Sequence, residues 1–423
     1  MPENDIYNNQ KRYEHFLANL DLFLIPPEQR TDNSKSKSLY FCMNKENLQY
    51  FKKICLKFDA RDISFVRRCR LLNTMRLICH STLKDLSQCS RDDIDSIVAF
   101  MHTRYKSPKS KSDFIKDLKH IWKLLFPEID EKGRIDETLM PYPVRHLKAE
   151  TDKSRQKARQ DKLTWEEYEK LVNYFAGDPM MQAYLTLSLE SLGRPQEMLY
   201  VKLGNVEMHD NYAKIFITEH GKEGIGFLQC IDSFPYLMKW YNIHPLKHDR
   251  NAFLFVSKRN NQLKPVVINN ILKSACKNLG IQKPVTCYSF KRNGVTFSRL
   301  RGESDVEIQH KARWTSTKQL KTYDLSTQED SFKRALAKRG LLNQDNFIDC
   351  QPESKKCRFC GYDKIGFSED ICPQCLHIIN QEKIKKYLKA EQSLNDFMSP
   401  EMQMLFKLVY KLQMEILEIK QLN

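Results

Sequence analysis

The segment Leu192-Gly193-Arg194-Pro195-Gln196-Glu197-Met198-Leu199 is the most informative stretch of this sequence. It follows a predicted helix over 180–192 and places Arg194 three residues before Glu197, so that both side chains lie on one turn. A guanidinium binds two phosphate oxygens at once and does not lose its charge. A lone Arg-x-x-Glu pair is usually a surface ion pair, so its meaning depends on the segments that accompany it.

Two later segments accompany it in a fixed order. Tyr288-Ser289-Phe290-Lys291 comes first, and Trp314 then precedes Tyr323 by nine residues, with Thr322 directly before the tyrosine. Between the first and second segments, strands are predicted over 213–218 and 226–231, and the loop that joins them carries Lys222. A tryptophan followed by a tyrosine is more often core packing, and a hairpin lysine is usually solvated. The ordered set is far more specific than any of its members.

Together these segments resemble the catalytic domain of the tyrosine recombinases, the phage-type integrase family. In that family an Arg precedes a Glu by three residues, a His-x-x-Arg box follows, and a His or Trp stands nine residues before the nucleophilic Tyr. The resemblance covers roughly residues 160–340 and, more loosely, the helical module before them. It implies a mainly α fold with a small antiparallel β-sheet, and a site-specific DNA recombinase that breaks and rejoins strands.

The resemblance also implies a role for each residue. Tyr323 would attack a DNA phosphorus and form a 3′-phosphotyrosyl link, which keeps the bond energy so that rejoining needs no cofactor. Arg194 would bind two phosphate oxygens, and Trp314 would donate its indole N–H to one. Lys222 would act as general acid for the 5′-oxygen, and Glu197 would support the cluster from behind. No catalytic metal is expected.

The second segment departs from the family pattern. Tyr288 stands where the family has His, and Lys291 stands where it has Arg, whereas a frame shifted by one would give Ser289 and Arg292. We prefer the first frame because its distance to Trp314 is the customary one. Lysine keeps the charge but loses the fork, and tyrosine can donate a hydrogen bond but cannot act as a base at neutral pH. Slower chemistry is therefore compatible with the sequence.

Composition shifts divide the chain into six predicted parts. Apolar residues at three- and four-residue steps, as at Phe65, Cys69, Leu72, Met75 and Cys79, predict a helical bundle in the second part. The parts are a flexible N-terminal arm (1–44), a helical core-binding or DNA-clamp domain (45–127), a basic linker (128–162), the catalytic domain (163–342), a zinc ribbon (350–380) and a C-terminal helical tail (381–423).

Four of the thirteen cysteines form a metal-site pattern. Cys357 and Cys360 are separated by two residues, as are Cys372 and Cys375, and eleven residues lie between the pairs. Four thiolates suit a tetrahedral Zn²⁺ ion and leave no open coordination position, so a structural zinc is predicted. Similar ribbons are appended to recombinase-like proteins of archaea, which makes an archaeal mobile element or its host the expected source.

Charge and hydropathy indicate the partner and the compartment. Lys and Arg outnumber Asp and Glu by 69 to 53, which gives a net charge of +16 and favours double-stranded DNA as the partner. No long apolar run and no export signal are present, so a cytoplasmic, nucleoid-associated protein without a membrane span is expected. Apolar spacing over 402–419 predicts a helix that could serve self-association into a tetramer on DNA.

Two other functions fit the same motifs. One is a DNA-binding relative that kept the fold but lost or weakened catalysis, which the residues Tyr288 and Lys291 would permit. The other is an enzyme similar to the type IB topoisomerases, which share the chemistry but not the site preference. The helical module and the hairpin lysine suit a recombinase better.

Overall fold

The computed structural model describes residues 7–30, 40–136, 138–149, 160–217, 224–341 and 352–379. The chain divides into two compact units, Met1–Lys157 and Ala158–Asn423. None of the helices in the described ranges is long and apolar enough to cross a membrane. The predicted C-terminal tail over 381–423, with its apolar spacing, lies outside the described residues.

The first unit is a bundle of helices with one short hairpin. Strands β1 and β2 of the hairpin pair antiparallel. The elements are α1 (Asn9–Ala18), α2 (Leu48–Ala60), α3 (Phe65–Ser81), α4 (Arg91–Arg104), α5 (Pro108–Leu125), β1 (Glu128–Ile129), β2 (Ile135–Asp136) and α6 (Tyr142–Arg145).

The predicted helical spacing of this unit is confirmed. On α3, Leu72, Met75 and Cys79 are fully or almost fully buried in the core. Helix α4 begins with a capping box, in which the Ser90 N–H donates to the Asp93 carboxylate at 2.8 Å and the Asp93 N–H donates to the Ser90 hydroxyl. Such a box satisfies two N–H groups that the first turn of a helix leaves without partners.

The prediction of a flexible arm over 1–44 is wrong for the part that the structure describes. Tyr13 on α1 and Phe23 just after it are buried in the core of the first unit. The Tyr13 ring lies 5.6 Å from that of Phe65, and the Phe23 ring meets the edge of Phe51 at 5.7 Å. Burial of one large aromatic side chain stabilises a fold by about 2 kcal/mol, so a few of them anchor a polar segment.

The prediction of a linker over 128–162 is also wrong in its first half. Val144 on α6 is fully buried, and Leu147 after it is nearly so, both in the core of the first unit. His146 contacts Asp95 at 2.7 Å through its ring nitrogen. Charged residues of both signs are frequent in this stretch, but two buried apolar side chains are enough to hold it in place. Residues 150–159 lie outside the described part.

The second unit surrounds a three-stranded antiparallel sheet with helices. The strands run in the order β3-β4-β5, and Ile215 pairs with Leu228 at the centre. The elements are α7 (Trp165–Tyr174), α8 (Pro179–Ser191), α9 (Pro195–Tyr200), β3 (Val206–Met208), β4 (Ala213–Ile217), β5 (Gly226–Cys230), α10 (Phe234–Asn242), α11 (Pro265–Asn278), α12 (Ser289–Arg301), α13 (Asp305–Lys311), α14 (Leu320–Tyr323) and α15 (Gln328–Lys338). The two strands predicted from the sequence are present, and the three-residue strand β3 was not foreseen.

Helix α8 is the centre of this unit, and α12 packs directly on it. Every residue of α8 from Met181 to Ser191 is buried. On α12, Gly294 faces the α8 backbone so closely that a Cβ would lie 2.1 Å from the Leu189 carbonyl oxygen. Glycine at this position lets two helices approach closely, and this contact fixes where the N-terminal turn of α12 lies.

A buried carboxylate in the last turn of α8 binds the backbone just before α10. Glu190 accepts hydrogen bonds from the backbone N–H groups of Ile231, Asp232 and Ser233, at 2.7, 3.2 and 2.8 Å. Burial, and after it the Glu190 charge, raises the pKa of the neighbouring Asp232 to about 6 against the opposing effect of Arg301. The folded chain therefore holds Asp232 more readily as the neutral acid than the unfolded chain does.

Replacing this acid with its neutral isostere is predicted to stabilise the chain in a pH-dependent way. Because the pKa of Asp232 is raised on folding, its contribution is favourable below the unfolded pKa and is lost as pH rises through about 6. Asp232→Asn should therefore raise the free energy of unfolding by about 1–2 kcal/mol at pH 7.5 and change it little at pH 4. Urea unfolding at both pH values measures this, and an equal effect at both would contradict it.

Candidate active site and four-cysteine cluster

Arg194 is held at the turn between α8 and α9. Leu192 ends α8 in a left-handed conformation (φ 54°), and Arg194 occupies the N-cap of α9. Its backbone N–H donates to Glu197 Oε2 at 2.9 Å, and its Nη1 lies 3.6 Å from Glu197 Oε1. Both side chains are buried, so the turn fixes a guanidinium beside a carboxylate inside the protein.

Tyr323 meets Tyr288 through their hydroxyl groups. Tyr323 closes the short helix α14, Tyr288 stands at the N-cap of α12, and their hydroxyl oxygens are 2.6 Å apart. Burial raises the pKa of Tyr288, and the hydrogen bond with Tyr323 raises it further, whereas the neighbouring Arg194 lowers it. Tyr288 therefore stays a neutral phenol over the physiological pH range, next to a guanidinium.

Trp314 and Lys291 enclose the Tyr323 ring. The Trp314 indole stacks on Tyr323 with ring centroids 5.2 Å apart. The Nζ atom of Lys291 lies 5.4 Å from the Tyr323 centroid and 5.6 Å from that of Trp314. Lys291 has no exposed surface. The structure thus brings together five of the six side chains that the sequence assigned to catalysis.

Arg292 is directed away from Tyr323. Its guanidinium pairs with the carboxylate of Asp161 and lies over the Tyr288 ring at 5.3 Å. Neighbouring helical residues point about 100° apart, so only one of Lys291 and Arg292 can face Tyr323. In this structure the residue that faces it is Lys291. The sixth candidate, Lys222, lies outside the described residues.

Arg313 belongs to the same group and was not foreseen from the sequence. It directly precedes Trp314, and its Nη2 donates to Glu197 Oε2 at 2.6 Å. Its side chain is 9% exposed. Two guanidinium groups, those of Arg194 and Arg313, therefore share the single carboxylate of Glu197. The surplus of positive charge makes this place suited to an anion such as a phosphate.

The four cysteines of the sequence pattern also lie together. Their sulfur atoms are all within 4.8 Å of one another, and the Cys357–Cys375 and Cys360–Cys372 sulfur pairs are both 3.6 Å apart. Four thiolates on one tetrahedral ion with bonds of about 2.3 Å would be about 3.8 Å apart. The arrangement therefore fits a tetrahedral metal ion.

The loop between the two cysteine pairs is anchored in the second unit. Phe367 stacks on Tyr168 with centroids 5.8 Å apart and packs against Trp165 at 5.1 Å. Tyr236 shares a hydrogen bond of 2.6 Å with the hydroxyl of Ser368. Gly366 touches the Tyr236 ring, where a Cβ would lie 2.3 Å from Cζ, so only glycine fits. The four-cysteine module is thus built into the core of this unit.

Comparison with known proteins agrees with this geometry. Residues 161–329 match the model of the phage integrase family. No curated protein matches the chain. Among solved structures, the chain is similar to a lambda integrase (75–356) dimer bound to a COC′ core site, with 17% identity, a TM-score of 0.52 and coverage of 65% of this chain and 94% of that one.

Two further solved structures are similar to the same extent. The XerH site-specific recombinase bound to palindromic difH has 12% identity and a TM-score of 0.52, with coverage of 80% of this chain and 97% of that one. A lambda integrase tetramer bound to a Holliday junction has 16% identity and a TM-score of 0.50, with coverage of 74% and 88%. These similarities confirm the predicted mainly α fold with a small antiparallel sheet.

The cysteine cluster is predicted to bind one divalent metal ion that stabilises the second unit. Titration of the reduced full chain with Co²⁺ should reach saturation at one equivalent with the absorption of a tetrahedral thiolate site. Cys360→Ser should weaken binding strongly, whereas Cys69→Ser, in the first unit, should leave it unchanged. The absence of a thiolate absorption band on addition of Co²⁺, or an equal loss of Co²⁺ binding in both variants, would contradict the prediction.

Phe367 is predicted to anchor this module. Phe367→Ala removes a buried ring from an aromatic cluster and should lower the free energy of unfolding by about 3 kcal/mol. Phe359, in the same module, is 67% exposed, so Phe359→Ala is a matched control that should cost less than about 1 kcal/mol. Urea unfolding of the metal-loaded chains provides the comparison, and equal losses would disprove the anchoring role.

Proposed function

We propose, from the match of residues 161–329 to the model of the phage integrase family, that this chain is a site-specific DNA recombinase whose nucleophile is Tyr323. The observation that carries the proposal is the placement of the Tyr323 hydroxyl. It lies 2.6 Å from the Tyr288 hydroxyl, beneath Trp314 and beside the Lys291 ammonium. A buried tyrosine surrounded by cationic and N–H donor groups is suited to attack on a phosphodiester.

Double-stranded DNA is the proposed partner. The net charge of +16 favours a polyanion, and the similar lambda integrase and XerH structures are of DNA complexes. Assembly as a tetramer is a further part of the proposal, supported by the similarity to a lambda integrase tetramer on a Holliday junction. Because binding to DNA phosphates releases condensed counterions, DNA binding should weaken steeply as salt is added.

In the proposed reaction, the Tyr323 hydroxyl gives up its proton to solvent water, and its oxygen forms a bond to phosphorus as the bond to the 5′-oxygen breaks. Arg194 binds nonbridging oxygens of the developing phosphorane, and the Trp314 N–H donates to one of them. Lys222 is the proposed general acid that protonates the 5′-oxygen. The phosphotyrosyl ester conserves the energy of the phosphodiester bond that was broken. A 5′-hydroxyl can therefore attack the phosphorus of this ester, release Tyr323 and rejoin a strand.

Tyr288 and Lys291 have altered roles compared with the family pattern. A neutral phenol is too weak a base to take the Tyr323 proton, so we assign to Tyr288 the orientation of the nucleophile through their hydrogen bond. Lys291, whose Nζ lies 5.4 Å from the centroid of the Tyr323 ring, stabilises the developing negative charge as a point cation. Because both substitutions weaken individual contributions, a slow recombinase fits the site better than a fast one.

The metal assigned to the four-cysteine cluster is Zn²⁺ in a structural role. Four thiolates fill a tetrahedral coordination sphere, so no position is left for a substrate or a water molecule. When bound, the ion supplies cross-links between the two Cys-x-x-Cys turns. Those turns hold the segment with Phe367 in the core of the second unit.

Covalent capture tests the proposed nucleophile. The full chain is incubated with sheared, nicked duplex DNA from the genome that encodes it, and detergent-stable protein–DNA adducts are recovered and sequenced. The wild-type chain should give adducts that share one sequence, and Tyr323→Phe should give none because it lacks the attacking oxygen. Tyr142→Phe, an exposed tyrosine of the first unit, is the matched control and should behave as wild type.

The alternative functions predict different results when covalent capture is combined with plasmid-relaxation and filter-binding assays. A topoisomerase-like enzyme would form Tyr323-dependent adducts without a shared sequence and would relax any supercoiled plasmid. A relative that binds DNA without cleaving it would retain a sequence in a filter-binding assay but form no adduct. Either result would reject the recombinase assignment.

The Tyr288 hydroxyl is predicted to contribute to the rate and not to DNA binding. Tyr288→Phe removes one neutral hydrogen bond to the nucleophile, which corresponds to about a tenfold slower formation of the adduct. The affinity for the captured site should change less than twofold, since the hydroxyl faces Tyr323. Single-turnover rates and binding isotherms separate the two effects, and a loss confined to affinity would argue against the orienting role.

A further inference from the structure

Arg313 has a backbone conformation that favours glycine. Its φ is 56°, in the left-handed region, at the residue that joins α13 to Trp314. A residue with a Cβ is less stable there than glycine by about 1 kcal/mol. A long charged side chain has nevertheless been placed at this position, and it is directed into the protein, with 9% of its surface exposed.

The surrounding residues make room for this side chain. At Gly226, the first residue of β5, a Cβ would lie 2.9 Å from Arg313 Cδ, so the strand has no side chain where the arginine passes. At its far end, the Arg313 Nη2 donates to Glu197 Oε2 at 2.6 Å. Gly226 and Glu197 thus determine the path of the side chain, which ends beside the carboxylate that also contacts Arg194.

Part of the Arg313 guanidinium is buried without an acceptor. Among the described residues, neither its Nε nor its Nη1 has a hydrogen-bond partner, and the Nε1 of the adjacent Trp314 also has none. Each buried N–H without a partner destabilises a fold by about 1–3 kcal/mol. Three such donors on two consecutive residues indicate a ligand with several acceptor oxygens.

We propose that Arg313 is a catalytic residue that binds the scissile phosphate through Nε and Nη1, a proposal that rests on the recombinase function proposed above. Its planar fork supplies the bidentate contact that Lys291, a point cation, cannot make. Glu197 then contacts two guanidinium groups, that of Arg313 through Oε2 and that of Arg194 through Oε1. Its single negative charge leaves the pair with a net positive charge for the phosphorane.

A purely structural role for Arg313, as the counter-ion of Glu197, uses one of its N–H groups. That role predicts that removing the arginine leaves the buried carboxylate with Arg194 as its remaining cationic partner among the described residues, and that Glu197→Gln would restore the loss. The phosphate-binding role predicts no restoration, since the missing contact is to the substrate. The double variant Arg313→Met with Glu197→Gln therefore separates the two roles.

The first experiment measures binding of inorganic phosphate to the full chain by calorimetry, without DNA. Arg313→Met should weaken binding at least tenfold, Arg313→Lys should weaken it less, and Arg61→Met, an exposed control in the first unit, should leave it unchanged. Thermal unfolding within a few degrees of wild type verifies that the variants fold. Wild-type phosphate affinity in Arg313→Met, or restoration by Glu197→Gln, would overturn the proposal.

The second experiment uses the DNA site recovered by covalent capture, with either a phosphate or a neutral methylphosphonate at the cleaved position. On phosphate, Arg313→Met should form the adduct about 10²–10³-fold more slowly than wild type. On methylphosphonate the deficit should fall below tenfold, because the charge that the arginine would neutralise is absent. An equal deficit on both substrates would reject direct contact with the phosphate.

The two experiments also separate this proposal from the assignment of function. If the wild-type chain forms no Tyr323-dependent adduct on either substrate, the recombinase function fails. The phosphate titration still reports whether Arg313 binds an oxyanion beside Arg194. If the adduct forms and phosphate binding is insensitive to Arg313, the function stands and the role of Arg313 is wrong.

Discussion

The Glu197 carboxylate is the contact on which the geometry of the site depends. It accepts the backbone N–H of Arg194 and an N–H of Arg313, and it lies 3.6 Å from the Arg194 guanidinium. These contacts connect the turn before α9 with the residue that precedes Trp314, more than a hundred residues later in the chain. A buried carboxylate needs such partners to remain charged, and each partner is thereby fixed in place.

Close packing of α12 on α8 places the remaining groups. Because Gly294 lets α12 approach the Leu189 carbonyl, the N-terminal turn of α12 is fixed relative to the Arg194 turn at the end of α8. Lys291 then faces Tyr323, and Arg292 is directed to Asp161. The sequence alone left two frames possible for the second motif, because one places Lys291 and the other Arg292 at the position of the second cation. The helical rotation between neighbours, together with Asp161, distinguishes them.

Local spacing made the fold and most of the site predictable. Helix periodicity and the three ordered motifs act over a few residues, and the structure has the helices and the motif residues where the sequence placed them. The capping boxes at Ser90 and Thr164 are local in the same way. Arg313 and Asp161 could not be foreseen, because their partners are more than a hundred residues away. The predictions of a flexible arm and a linker were wrong because both segments are mostly polar, and a few apolar side chains within them are enough to anchor them in the core.

The four-cysteine module and the surroundings of Tyr323 are linked through helix α12. Phe367 of the module packs on Trp165, whose ring meets the edge of Phe297 on α12, two turns after Lys291. Since close-packed interiors transmit displacement, loss of the metal would disturb the helix that carries Tyr288 and Lys291. A module that the sequence places outside the catalytic domain is thus part of the support of the site, and a metal ion bound there would stabilise the position of the cations as well as the module itself.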